Sequence, residues 1–394
     1  MRVRWLFPLA IGLLLAGALL LPRFSRSLPE RPATSPEEAS HEASDLESVM
    51  AQLDEVAGKK PDGGESVALP VRRRQWADTQ RGIALGLFAE DVSFDYGPLL
   101  AEIAEVGATH VALVVPIYQS HGGSIRLGLH TRFSPTLSAT AEAIRAAHRL
   151  ELKVLLFPIV RLDAPRRPGE WRGTLEPENR DAWFASYSEI LGDLAALGTM
   201  TDVARLAIGS ELSSLDFEDQ DLERWRALLA KIRAIYPGKL VYSANWDHYR
   251  QAALLDLVDE AGVVAYFGLR QSDGPSDLGA LEARWASLRR EIAEWRRGRK
   301  QPFVFTELGY RSRQGASASP WNETPGGAPD ADEQRRAFEA FRRVWASGES
   351  DDPVPGFEGL YVWNWYGYGG AQTTGYTPRG KPALQVVRRL LSEL

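Results

Sequence analysis

From Arg81 to the end of the chain, short runs of β-branched, aliphatic and aromatic residues alternate with longer stretches in which apolar side chains return every three or four positions. The short runs are GIALGLF, THVALVVPIY, LKVLLFPIV, VARLAIGSE, KLVYSANW, AGVVAYFG, PFVFTELG and GLYVWNWY, each of strand length and composition. Around them lie YGPLLAEIAEVG, TAEAIRAAHRLE, RDAWFASYSEILGDLAAL, DLERWRALLAKIRAIYPG, LGALEARWASLRREIAEWRRG and ADEQRRAFEAFRRVWASG, whose stripes predict amphipathic helices. Strands alternating with helices imply a parallel sheet, and eight strands over roughly 300 residues suit an α/β fold of the closed (β/α)8 kind, a TIM barrel. An open doubly wound sheet would carry a glycine-rich phosphate turn after its first strand, and GLFAEDVSF has none. No tandem repeat of a solenoid kind is visible.

The pattern before Arg81 is different. Two arginines precede an uncharged apolar stretch from Trp5 to Leu21, with Arg23 and Arg26 behind it. This is at the short limit for crossing a bilayer and slightly long for the core of a signal peptide, so residues 1–26 are expected to be a signal peptide or signal anchor. Either would place the remainder outside the cytoplasm, membrane-anchored or secreted; the three leucines after the small residues favour an uncleaved anchor. Residues 27–79 are rich in Pro, Ser, Glu, Ala and Gly, the composition of a solvated flexible linker. Residues 80–394 are left as the catalytic domain.

Composition narrows the chemistry. The net charge of −6 is the wrong sign for a nucleic-acid partner. With no cysteine among 394 residues, disulfides, thiolate zinc sites and a cysteine nucleophile are excluded. None of the six histidines forms an HExxH or HxxxH pair, so a metal cofactor is disfavoured, and His121 and His130 read as loop or substrate-side residues. GSELSS is no GxSxG elbow, which argues against a serine hydrolase. Twelve Trp, twelve Tyr and fourteen Phe would fill a core and leave flat faces to stack on sugar rings.

Two of the strand-like runs end on a glutamate: Glu211 closes the fourth and Glu307 the seventh. Catalytic groups of such barrels sit at the carboxyl ends of the strands. Strand alternation is expected to put Ala207, Gly209 and Glu211 on one face, and Phe303, Phe305 and Glu307 likewise, so that both carboxylates point into the mouth. A glutamate pair suits glycoside hydrolysis, which needs a proton donor for the leaving oxygen and a carboxylate for the oxocarbenium-like carbon.

The segments VLLFPIVRL, PGEWRGTLEPENRDAWFASY, LAIGSELSSL, YPGKLVYSANWDHY, FTELGYRSRQGASASPWN and GLYVWNWY resemble glycoside hydrolase family 113, a clan A family of retaining (β/α)8 enzymes known for β-mannanase activity. The resemblance runs from about Arg81 to the end. It implies Glu211 as acid/base, Glu307 as nucleophile, a β-glycan substrate and no cofactor. It also implies that Trp363 floors the cleavage subsite, whereas Trp365 reads equally well as core. Many clan A enzymes have asparagine before the acid/base, holding the sugar's 2-hydroxyl; here that position is Ser210, which reaches less far.

Tyr266, at the end of the sixth strand, is placed to donate to Glu307. Asn245, Trp246 and Asp247 after strand five, and Trp171 and Arg172 in the loop after strand three, are candidate substrate-binding residues. Arg161 is a candidate for aiming its guanidinium into the mouth. The chain therefore reads as a retaining, β-mannanase-like glycoside hydrolase. The alternatives are a catalytically inactive carbohydrate-binding envelope scaffold and a transglycosylase with the same two glutamates.

Overall fold

A computed structural model describes residues 79–394 except 92–93, 217–220, 273, 275, 325–326 and 347–353. The expected anchor, residues 1–26, and nearly all of the expected linker, 27–79, lie outside the described residues. Among the described residues no helix is long and apolar enough to cross a membrane.

Eight strands close a parallel barrel in the order β1 to β8. They are β1 (Gln80–Gly86), β2 (His110–Gln119), β3 (Lys153–Leu162), β4 (Arg205–Ser210), β5 (Lys239–Ala244), β6 (Glu260–Val264), β7 (Phe303–Leu308) and β8 (Phe357–Val362). β8 pairs back onto β1, so no edge is left open. The helices are α1 (Gly97–Glu105), α2 (Leu137–Arg149), α3 (Arg180–Met200), α4 (Leu222–Ile235), α5 (Leu278–Arg296), α6 (Ala331–Trp345) and α7 (Ala383–Glu393). Between β5 and β6 the ring has only a 3₁₀ turn, Ala253–Leu257.

Local chemistry sets the helix starts. The side chains of Thr136, Asn179, Asp277 and Asp330 accept the backbone N–H three residues on, at 3.0, 3.0, 3.0 and 2.7 Å. Each such cap typically contributes about 1 kcal/mol.

The apolar residues divide into two layers. Ile83, Leu113, Leu206, Phe303, Phe305 and Leu360 belong to the outer core, with Trp285 and Phe341 of α5 and α6. Ala84, Val114, Phe157, Ala207, Val241, Val264, Val304 and Tyr361 fill the barrel interior, topped by Tyr266 and Trp363. Phe303 and Phe305 therefore face the helices, contrary to the expectation that they share a face with Glu307. The register explains how Glu307 still reaches the mouth: Val263 pairs with Phe305 but Val264 with Glu307, so β7 holds one extra residue there. That bulge brings Glu307 into phase with the inward Val264. A similar slip in β4, where Ala207 pairs with Val241 and Ser210 with Ser243, ends the expected Ala207–Gly209–Glu211 alternation.

Candidate active site

Glu211 follows β4 with φ of 54°, the left-handed region that non-glycine residues seldom occupy. Such a residue costs on the order of 1 to 3 kcal/mol and persists only where its surroundings dictate it. Here β5 does so: the Glu211 N–H donates to the Ser243 carbonyl at 2.7 Å, and the Leu212 N–H donates to the Tyr242 hydroxyl at 3.1 Å. Gly209 before it has φ of 156°, and a Cβ there would meet Leu212 at 2.9 Å.

The Glu211 carboxylate is buried and takes a charge-assisted hydrogen bond from the Arg172 guanidinium. Arg172 opens a short 3₁₀ turn, Arg172–Thr174, after β3, and lies 5.4 Å from the ring centre of Trp171. Gly173 allows this arrangement, since a Cβ at that position would run into the Trp171 ring at 2.4 Å. Burial opposes the charge on Arg172, but Glu211, Glu307 and Glu323 outweigh it and raise its pKa.

Glu307 is 2% exposed. The Tyr266 hydroxyl donates to its Oε2 at 3.0 Å. Burial, reinforced by the negative charge of Glu211, pushes the Glu307 carboxyl well above its ordinary value; Arg172 and the Tyr266 hydrogen bond pull the other way and are outweighed. Tyr266 is itself braced by Tyr376, with ring centres 5.8 Å apart.

Four buried polar atoms around this centre have no protein hydrogen-bond partner among the described residues: Glu307 Oε1, Arg172 Nε, Ser210 Oγ and Asn364 Oδ1. They belong to Glu307 itself, to Arg172 that bonds Glu211, to Ser210 just before Glu211 and to Asn364 just after β8. An orphaned buried polar atom costs about 1 to 3 kcal/mol, so each of these is left for a partner that the described protein groups do not supply.

The other candidates do not all reach this centre. Trp363 is 6% exposed, packs with Tyr266 at the top of the inner layer and is joined to Asn364 by a cis peptide. Trp365 belongs instead to the outer core, its Nε1 donating to Glu102 at 2.9 Å. Asn245 is buried and accepts the Trp246 N–H at 2.8 Å, while Trp246 is partly exposed and touches both layers. Arg161 is exposed, 5.9 Å from the ring centre of Phe88. His121 and His130 use Nδ1 to accept backbone N–H groups of their own loops.

Sequence reasoning missed Asn364, Glu323 and Tyr376. Asn364 was legible in VWNWY beside Trp363, but nothing in the chain marks Glu323, on the β7–α6 loop, as a residue whose charge reaches Glu307.

The sequence model of Glycoside Hydrolase Family 113 matches residues 95–377. The chain belongs to glycoside hydrolase family 113. Among solved structures it is similar to the family 113 β-mannanase AaManA of Alicyclobacillus acidocaldarius in complex with ManMIm, with 26% identity, a TM-score of 0.69, and 80% of this chain and 98% of that one covered. A family 113 β-1,4-mannanase superposes at a TM-score of 0.66 with 21% identity, covering 81% and 100% of the two chains. The β-glucuronidase of Faecalibacterium prausnitzii, at 14% identity and a TM-score of 0.55 over 80% of this chain and 49% of that one, shares the fold alone. A comparison with curated proteins finds no match.

Proposed function

We propose that this family 113 member is a retaining β-glycoside hydrolase of the mannanase kind, in which Glu307 attacks the anomeric carbon while Glu211 protonates the departing oxygen. A covalent glycosyl-enzyme forms on Glu307, and Glu211 then takes the proton of an attacking water. The observation that carries this reading is the pairing at the barrel mouth. Two buried glutamates, one after β4 and one in β7, share Arg172 as a countercharge, and one of them is oriented by Tyr266.

Attack requires the charge on Glu307 and the proton on Glu211, whereas burial favours a proton on Glu307. In this mechanism the arriving sugar engages Arg172, and the proton held on Glu307 passes to Glu211. Positive charge developing at the anomeric carbon favours the ionised nucleophile. Trp363 supplies the apolar floor, and Trp246, Asn245, Trp171 and Ser210 contact the sugar chain. Support for β-mannan comes from the similar solved structures, which are β-mannanases.

Intact-protein mass of the full chain after incubation with 2-deoxy-2-fluoro-β-mannosyl fluoride tests this. A one-sugar gain mapping to Glu307, absent in Glu307→Gln, is expected. Labelling only by the glucosyl or galactosyl reagent would remove the mannan assignment and keep the mechanism; no labelling by any of them would move the reading to a binding scaffold. Product analysis with an added acceptor sugar separates hydrolysis from transglycosylation.

The apolar run from Trp5 to Leu21 supports a location outside the cytoplasm. Fractionation of the full chain beside one lacking residues 1–26 tests this, and an unchanged cytoplasmic distribution would refute it.

A further inference from the structure

A chain of hydrogen bonds runs behind the turn that carries Glu211. The Leu212 N–H donates to the Tyr242 hydroxyl at 3.1 Å, the Tyr242 hydroxyl donates to Asp216 Oδ2 at 2.7 Å, and Asp216 Oδ1 lies 2.7 Å from His248 Nε2. Asp216 is 1% exposed and Tyr242 is fully buried, while His248 lies partly exposed at the rim. The loop bearing Asp216 is pinned in turn by Trp225, whose Nε1 donates to the Leu215 carbonyl at 2.7 Å. Tyr187 donates to the Ile208 carbonyl just before the catalytic turn at 3.0 Å.

As core filling this arrangement would be uneconomical. Phenylalanine would pack in place of Tyr242 without a polar atom, and a carboxylate as buried as that of Asp216 is unfavourable unless its oxygens are bonded. What the polar atoms achieve is direction. A tyrosine hydroxyl has one proton, and with that proton committed to Asp216 its lone pairs are aimed at the Leu212 amide. His248 occupies the other carboxylate oxygen and so keeps Oδ2 turned toward Tyr242. Together with the Ser243 carbonyl on the Glu211 N–H, both peptide groups of a left-handed turn are clamped by adjacent residues of β5.

We propose that Tyr242, Asp216 and His248 are positioning residues for Glu211, forming a relay that holds the acid/base turn in its left-handed conformation; this rests on the hydrolase reading above. The relay acts on proton delivery through the placement of Glu211.

A positioning role for an acid makes a selective prediction. Departure of a poor leaving group needs the proton from Glu211, whereas 2,4-dinitrophenolate leaves without it. The experiment compares kcat/KM of the full wild-type chain with Tyr242→Phe, Asp216→Asn and His248→Gln, using phenyl and 2,4-dinitrophenyl β-glycosides of the sugar that labels Glu307. In Tyr242→Phe and Asp216→Asn the phenyl substrate is expected to lose about 10- to 100-fold, the scale of a misplaced proton donor, and the dinitrophenyl substrate less than about threefold. His248→Gln, at the exposed end, should give the same selectivity at about three- to tenfold, and serves if the buried variants do not fold. Equal losses on both substrates, or none on either, would overturn the relay. If the wild type turns over neither substrate and takes no label, the hydrolase reading itself fails, and the relay with it.

Discussion

At the amino end of the barrel Glu260 is fully buried, and both of its oxygens are engaged: Arg205 and Gln80 donate to Oε2 at 2.8 and 3.0 Å, and Lys239 donates to Oε1 at 2.5 Å. At the carboxyl end Glu307 is nearly as deeply buried, but Tyr266 donates to one oxygen and the other has no partner among the described residues. Burial works against both charges. Below, Arg205 and Lys239 win and hold Glu260 under the usual carboxylate range; above, desolvation and the charge of Glu211 win and hold Glu307 over it. The same side chain in the same architecture favours its charged or its protonated form according to how many cations face it.

The largest effect expected from breaking this contrast is at Glu307. Glu307→Gln should lower kcat on the order of 10⁴-fold or more while the fold is kept, as checked by steady-state kinetics on enzyme free of wild type. It should also remove a pH-dependent instability. Between the ordinary carboxyl value of 4.5 and its raised value, the folded Glu307 holds a proton that the unfolded chain has lost, so stability falls as pH rises through that window. The melting temperature of Glu307→Gln should therefore exceed that of wild type by more at pH 8 than at pH 5; a constant difference would show Glu307 to be unshifted.

Next comes Glu260→Gln, which strands Arg205 and Lys239. A loss of about 3 to 5 kcal/mol in denaturant unfolding is expected, with turnover per folded molecule unchanged. Equal stability would mean that Glu260 is not structural.

The smallest effect is expected at Arg172, whose positive charge lowers the Glu307 pKa. In Arg172→Gln the acid limb of kcat/KM should move to higher pH by about one unit, a tenfold change at a fixed acidic pH. A shift to lower pH would contradict its position between the two carboxylates.

Much of this architecture is legible in the sequence. Eight apolar runs and the helical stripes between them carry the barrel, because burial of both sheet faces imposes those patterns directly. Glu211 and Glu307 stand out because a carboxylate at the end of an apolar run is costly to bury and is kept there for its charge or its proton. Finer geometry was not legible. Trp363 and Trp365 are two apart and would share a face of a continuing strand, yet one tops the inner layer and the other joins the outer core, because β8 ends at Val362. Helix α7, in PALQVVRRLLSEL, lies beyond the last strand with no further strand to frame it, and the 3₁₀ turn after β5 has too short a stripe to announce itself.

The sequence by itself determined the parallel barrel, the two glutamates and the aromatic supply around them, since these follow from local periodicity and residue type. Only the tertiary structure decided which way the glutamates point and what they face. Strict alternation would have kept Glu307 in phase with Phe305 on the helix side, and the bulge in β7 reverses that; for Glu211 the slip in β4 ends the alternation from the inward Ala207, and a left-handed turn clamped by β5 sets its direction. The meeting of Arg172 and Tyr266 with them depends on residues far apart in the chain. Contacts of that kind have no period, so no local pattern carries them.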